Sequence, residues 1–145
     1  MTEPTQPTRN PVPTATPLWH TLAHAPVPGT ALVHKDTLQD GQVLMHTVAA
    51  EDAATPQDVF RLLLLRSGDT ITAFANRCAH FGVPLAQKQE HLQFQAHTSI
   101  TCNVHYARFR WSDGVCDRGD CVGDALPSIP VHVDANGMVR IGPSP

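Results

Sequence analysis

The chain has 145 residues, room for one domain with a single core. Its composition, 41% hydrophobic and 16% charged, is ordinary for a globular protein, and a net charge of −3 without a basic stripe argues against nucleic acid as a partner. Apolar runs such as Leu62–Leu65 are far too short to cross a bilayer, so no membrane partner is expected.

Residues 1–17 hold five of the 13 prolines and are otherwise polar. They lack the apolar segment of a secretory signal and cannot bury enough surface to order themselves, so they read as a disordered tail on a domain spanning 18–145. Without a signal the expected location is the cytoplasm, where four cysteines suggest metal binding before disulfides.

From Leu18 onward, short runs rich in Val, Ile, Thr and Leu alternate with turn residues. Strands are predicted over about 18–23, 30–34, 42–48, 58–66, 70–76, 98–101, 107–112, 129–133 and 138–141. Hairpin turns are predicted at Ser67-Gly68-Asp69, Asp113-Gly114 and Asn136-Gly137, and a surface loop around Pro56. Many short strands with few helical periods predict an all-β fold, an antiparallel sandwich or barrel.

Two segments carry chemistry: Cys78-Ala79-His80 and Cys102-Asn103-Val104-His105. Each follows a predicted strand. A Cys and a His two or three positions apart can point to one side of a loop, so two such loops supply two thiolates and two imidazoles. Thiolates suit iron–sulfur clusters, copper(I) or zinc. Common zinc fingers pair Cys with Cys and His with His. One Cys and one His per loop is what a [2Fe–2S] centre needs when two cysteines bind one iron and two histidines the other.

Around these residues the sequence resembles the Rieske ferredoxin family. Ala73–Leu85, with Cys78-Ala79-His80-Phe81-Gly82-Val83-Pro84-Leu85, is similar to the family's first loop, and Cys102–Phe109 to its second. Asp113-Gly114 and the segment Ile129–Ile141 extend the resemblance. It implies one [2Fe–2S] cluster bound by Cys78, His80, Cys102 and His105, the histidines through Nδ1, within a two-loop subdomain of an antiparallel β sandwich. This sequence departs from the pattern in its 21-residue spacer from Phe81 to Thr101, whose extra length is placed in Gln87–Thr98. It also has Asn103 where proline is common, and Tyr106 where glycine is common.

The family's high-potential members add a disulfide at the positions of Val83 and Val104, and sulfur-directed hydroxyls at those of Ala107 and Phe109. With neither present, the expected potential falls low in the Rieske range, toward about −150 mV. That suits a non-catalytic electron carrier whose donor is a flavin-dependent NAD(P)H reductase and whose acceptor is a terminal ring-hydroxylating oxygenase with mononuclear non-haem iron. Phe81, Val83, Pro84, Leu85 and Tyr106 would shield the cluster, some forming a transient docking patch. The alternative within the fold is a small subunit of an NADH-dependent nitrite reductase. An oxygenase in its own right would need a 2-His-1-carboxylate site, for which no pattern is present.

The remaining marked residues are read as structural. Cys116 and Cys121 are expected as free thiols rather than a disulfide or second metal site. His91 and His97 are read as solvated loop residues, and Asp58 and Arg61 as surface charges. Phe74, Phe109 and Trp111 are read as core. His20 and His24 are placed in the first strand without a function, with Trp19 packed at its start.

Overall fold

The computed structural model describes residues 16–50, 54–55, 58–77, 83–102, 106–119 and 121–143. The expected tail and the Pro56 turn lie outside them, apart from Thr16 and Pro17. Eleven strands form among the described residues: β1 (Ala31–His34), β2 (Val43–Ala49), β3 (Val59–Ser67), β4 (Thr70–Ala75), β5 (Gln93–Gln95), β6 (Ser99–Thr101), β7 (Arg108–Arg110), β8 (Cys116–Arg118), β9 (Ser128–Ile129), β10 (Val131–Val133) and β11 (Met138–Ile141). They make three antiparallel sheets ordered β1-β11-β10, β2-β3-β4-β9 and β5-β6-β7-β8. The all-β expectation holds.

The run Leu62-Leu63-Leu64-Leu65 explains how the sheets stack. All four side chains are buried. Because successive strand residues point to opposite faces, they divide between two cores. Leu63 and Leu65 join Val43, Phe74, Ile100, Cys102 and Phe109. Leu62 and Leu64 join Ala73, Ala75, Ile129, Val139 and Ile141. The central sheet is therefore covered on both faces, by the β5–β8 sheet on one side and by β10–β11 on the other. Each buried leucine contributes about 1.5–3 kcal/mol.

Three expectations need correction. The first predicted strand, 18–23, is a 3₁₀ turn at Trp19–Thr21, with Thr21 N–H bonded to Leu18 O and Leu22 N–H to Trp19 O. Trp19 and Leu22 both pack on the core beneath; residues three apart share a face in this winding, whereas in a strand they would point to opposite faces. The predicted strand 129–133 is two strands, since Pro130 has no N–H and ends the ladder; β9 pairs with β4, and β10 with β11.

The spacer, finally, is more than an excursion. Its exposed β5 adds an edge strand to β6. A 3₁₀ turn at Gln89–His91 precedes β5, and the Gln89 side chain docks it on β2: Nε2 donates to Val43 O at 2.8 Å and Oε1 accepts Met45 N–H at 2.6 Å. His97, at the β5–β6 turn, is half-exposed but not merely solvated. Its Nδ1 lies 3.0 Å from Ser67 Oγ, which also accepts Trp111 Nε1–H at 2.8 Å.

Candidate metal centre

Of the four expected ligands, Cys78, His80 and His105 lie outside the described residues. Cys102 follows β6 and is fully buried among apolar side chains. Among the described residues no three His, Cys, Asp or Glu side chains converge on one point. What the structure does show is the base of each loop.

The first loop leaves β4 at Ala75 and returns at Leu85. Asn76 sits at its start with only 4% exposure. The Asn76 backbone N–H is bonded to Arg61 O on β3 at 2.9 Å, and its side-chain Oδ1 accepts the Leu85 N–H at 2.9 Å. Loop exit and loop return are thus tied through one buried amide. Leu85 itself is fully buried and belongs to the core rather than to a docking patch. Val83 is partly exposed and Pro84 half-buried, while Phe81 lies outside the described residues.

The second loop is closed by a pair of backbone bonds. Cys102 N–H donates to Ala107 O and Tyr106 N–H to Cys102 O, both at 2.8 Å. Tyr106 has φ 59°, the left-handed conformation that glycine adopts freely. The tight backbone path is therefore kept although the residue is not glycine, and the ring projects into solvent with 64% exposure.

A third segment supports the second loop from below. Cys116 and Cys121, expected as free thiols, form a disulfide with a Cα–Cα distance of 5.8 Å. The β7–β8 register shifts between Arg108 and Phe109, which leaves Asp117 to bind Arg108 Nε at 2.7 Å, and residues 121–123 turn back toward β8. Asp117 holds the Arg108 guanidinium above its usual range, chiefly by this hydrogen bond. Gly119, between the cysteines, has φ 105°, and a Cβ on it would stand 3.1 Å from Ala107 Cα. Leu85, Ala86, Cys102, Ala107, Cys116 and Cys121 all belong to one packed cluster. The bases of both Cys/His loops and the disulfide segment thus share a single dry core.

A model of the Rieske [2Fe-2S] domain matches residues 30–130. The chain belongs to the Rieske [2Fe-2S] domain family. Solved structures agree in fold. The ferredoxin of carbazole 1,9a-dioxygenase from Nocardioides aromaticivorans IC177 superposes with a TM-score of 0.60 at 21% identity, over 81% of this chain and 100% of that one. The terminal oxygenase of carbazole 1,9a-dioxygenase from Novosphingobium sp. KA1 gives 0.60 at 20% identity, over 80% of this chain but 31% of that one. A chain of the reduced complex between oxygenase and ferredoxin in carbazole 1,9a-dioxygenase gives 0.61 at 23%, over 80% and 30%. A search of curated proteins returned no match.

The cofactor of this family is a Rieske [2Fe–2S] cluster. The donor chemistry of this chain fits that group: two thiols and two imidazoles on two loops whose bases are fixed in one core, with the Cys102 side chain shielded from water. Sequence reasoning missed Asn76, although a polar residue two places before Cys78 at the end of an apolar strand was a usable signal. It also missed the disulfide.

Proposed function

We propose that this chain is a one-electron carrier. It holds the cluster through Cys78, His80, Cys102 and His105, receives electrons from a flavin-dependent NAD(P)H reductase, and delivers them to a terminal ring-hydroxylating oxygenase with mononuclear non-haem iron. The cluster, when bound, supplies a single-electron redox couple. The protein supplies four ligands, a dry base beneath them, and exposed apolar side chains, Tyr106 and Val83, beside the loops.

The observation that carries the reading is the match of the Rieske [2Fe-2S] domain model to residues 30–130, together with superposition on the full length of the ferredoxin of carbazole 1,9a-dioxygenase. Low potential belongs to the same reading. Ala107 and Phe109 are both buried and have no hydroxyl to donate to sulfur, so the more negative reduced cluster is less stabilised.

We place the protein in the cytoplasm. No described helix is long and apolar enough to cross a membrane. The Cys116–Cys121 sulfurs sit in residues only 1% exposed, which shields the disulfide from cytosolic thiols.

The test is anaerobic reconstitution followed by turnover. The loaded protein should hold two irons and two acid-labile sulfides per chain, titrate toward about −150 mV, and support NADH-dependent hydroxylation when combined with a flavoprotein reductase and a ring-hydroxylating oxygenase. His105→Ala should bleach it and abolish turnover. A protein that binds no iron, that titrates far above zero, or whose omission leaves turnover unchanged would overturn the proposal.

A further inference from the structure

Asn76 and Ser99 are the polar residues found buried among the described residues. Burying a carboxamide is unfavourable unless its polar atoms are bonded, so a buried asparagine needs a task. The Asn76 backbone N–H is committed to β3 through Arg61 O, which fixes the residue to the central sheet. Its Oδ1 then reaches across nine positions to the N–H of Leu85, a fully buried residue of the core shared with Cys102. Ala75, just before it, is held in turn by its N–H to Pro127 O at 2.8 Å. The side chain of Asn76 therefore closes a ring of main chain from residue 76 to residue 85, and this ring contains Cys78 and His80.

We propose that Asn76 is a positioning residue for the cluster: its side-chain bond to Leu85 sets the span of the first loop and so controls how firmly that loop keeps its ligands on the metal. The inference rests on the reading of Cys78 and His80 as ligands. An asparagine suits the role on chemical grounds. A leucine would fill the space but leave the Leu85 N–H without its acceptor, whereas a neutral amide accepts the bond without burying a charge.

The experiment uses the reconstituted holoprotein and three variants. Asn76→Ala removes the latch. Asn76→Asp keeps an acceptor oxygen at the same place while burying a carboxylate. Ile141→Ala weakens the opposite core without touching either loop. Two quantities are read for each: the rate at which visible absorbance is lost to an iron chelator, and the thermal midpoint. Leaving the Leu85 N–H unsatisfied should speed cluster loss about 5- to 100-fold in Asn76→Ala. Asn76→Asp should lose its cluster at close to the wild-type rate even though its thermal midpoint falls, and Ile141→Ala should lower the midpoint with little effect on the rate. The midpoint potential should shift in Asn76→Ala and not in Ile141→Ala.

Cluster-loss rates that simply follow thermal midpoints across the three variants would overturn the proposal, as would an Asn76→Ala protein as retentive as wild type. Should the alanine variant not accumulate, Asn76→Ser, too short to reach Leu85, takes its place. Failure of the underlying reading is distinguishable: wild type would then bind no iron, or Cys78→Ala would remain fully coloured.

Discussion

Replacing Gly119 by alanine tests whether the disulfide segment holds up the second cluster loop. Two costs follow from the structure. Gly119 has φ 105°, where an L-residue is strained by about 1–2 kcal/mol. The new Cβ would also lie 3.1 Å from Ala107 Cα and 3.3 Å from Ala107 Cβ. Neither atom can rotate aside, so the main chain must give, as in other overpacked sites that cost about 1–3 kcal/mol. The sum is about 2–5 kcal/mol. Gly123 provides the internal control: its φ of 100° carries the same conformational penalty, but a Cβ there meets nothing within 4 Å. Gly123→Ala should therefore lose only about 1–2 kcal/mol. Ala107 O accepts the Cys102 N–H, so displacement at Ala107 reaches a proposed ligand directly. Urea unfolding of the holoproteins should separate the two variants by at least about 1 kcal/mol, and chelator challenge should show faster cluster loss in Gly119→Ala alone. Equal losses in the two variants would refute the idea that Gly119 is a close-packing position under the loop.

Tyr106→Gly should raise the thermal midpoint by about 2–4 °C, because it removes left-handed strain at a side chain that buries little; a fall in scanning calorimetry would contradict the strain argument. Removing the disulfide with a Cys116→Ala/Cys121→Ala pair should cost about 2 kcal/mol, the chain-entropy value for so short a loop, and a denaturation midpoint unchanged by the substitution would show that the sulfurs are not linked in solution. Asp134 is held down to about 2 from an ordinary 3.8, first by Arg140 and then by the Met138 N–H. Its folded-state value is depressed, so its contribution is complete above about pH 4 and disappears as pH falls toward 2; Asp134→Asn should flatten that part of the wild-type acid-unfolding curve measured by circular dichroism, and parallel curves would refute it.

Most of the fold was legible because its signals are local. Runs rich in Val, Ile, Thr and Leu located nine of the eleven described strands, all but β5 and β8, and the turns at 67–69, 113–114 and 136–137 carried their own residues. The failures are instructive in physical terms. Trp19 and Leu22 read as part of a strand because their burial against distant β-strands, which selects the 3₁₀ winding, is a tertiary fact. Gln93-Phe94-Gln95 has no strand composition, and its side chains are exposed; what makes it β5 is a ladder to Ser99–Thr101 and the Gln89 clamp on β2. Free thiols were expected at Cys116 and Cys121 from compartment alone, but a register shift in β7–β8 and the following turn bring the two together. The two Cys/His motifs proposed to bind the cluster were plain in the sequence as residue types at a spacing. What fixes their loops was not, because a bond from Asn76 to Leu85 or a contact from Gly119 to Ala107 leaves no pattern in one chain.

The four leucines of β3 connect these observations. A strand covered on both faces is the element least able to shift, since movement toward one core opens a void in the other. Leu63 and Leu65 face the core that contains Cys102, Ala107 and Leu85, while Leu62 and Leu64 face the core of β10–β11. Arg61, one residue earlier on the same strand, supplies the carbonyl that holds Asn76. The first loop is therefore hung by main-chain bonding from a strand buried on both faces, and the second rests on the same strand's apolar face through the shared core. An electron carrier gains from such a foundation. If its ligands move little between redox states, little reorganisation is needed at each transfer, and the packing beneath the loops favours that.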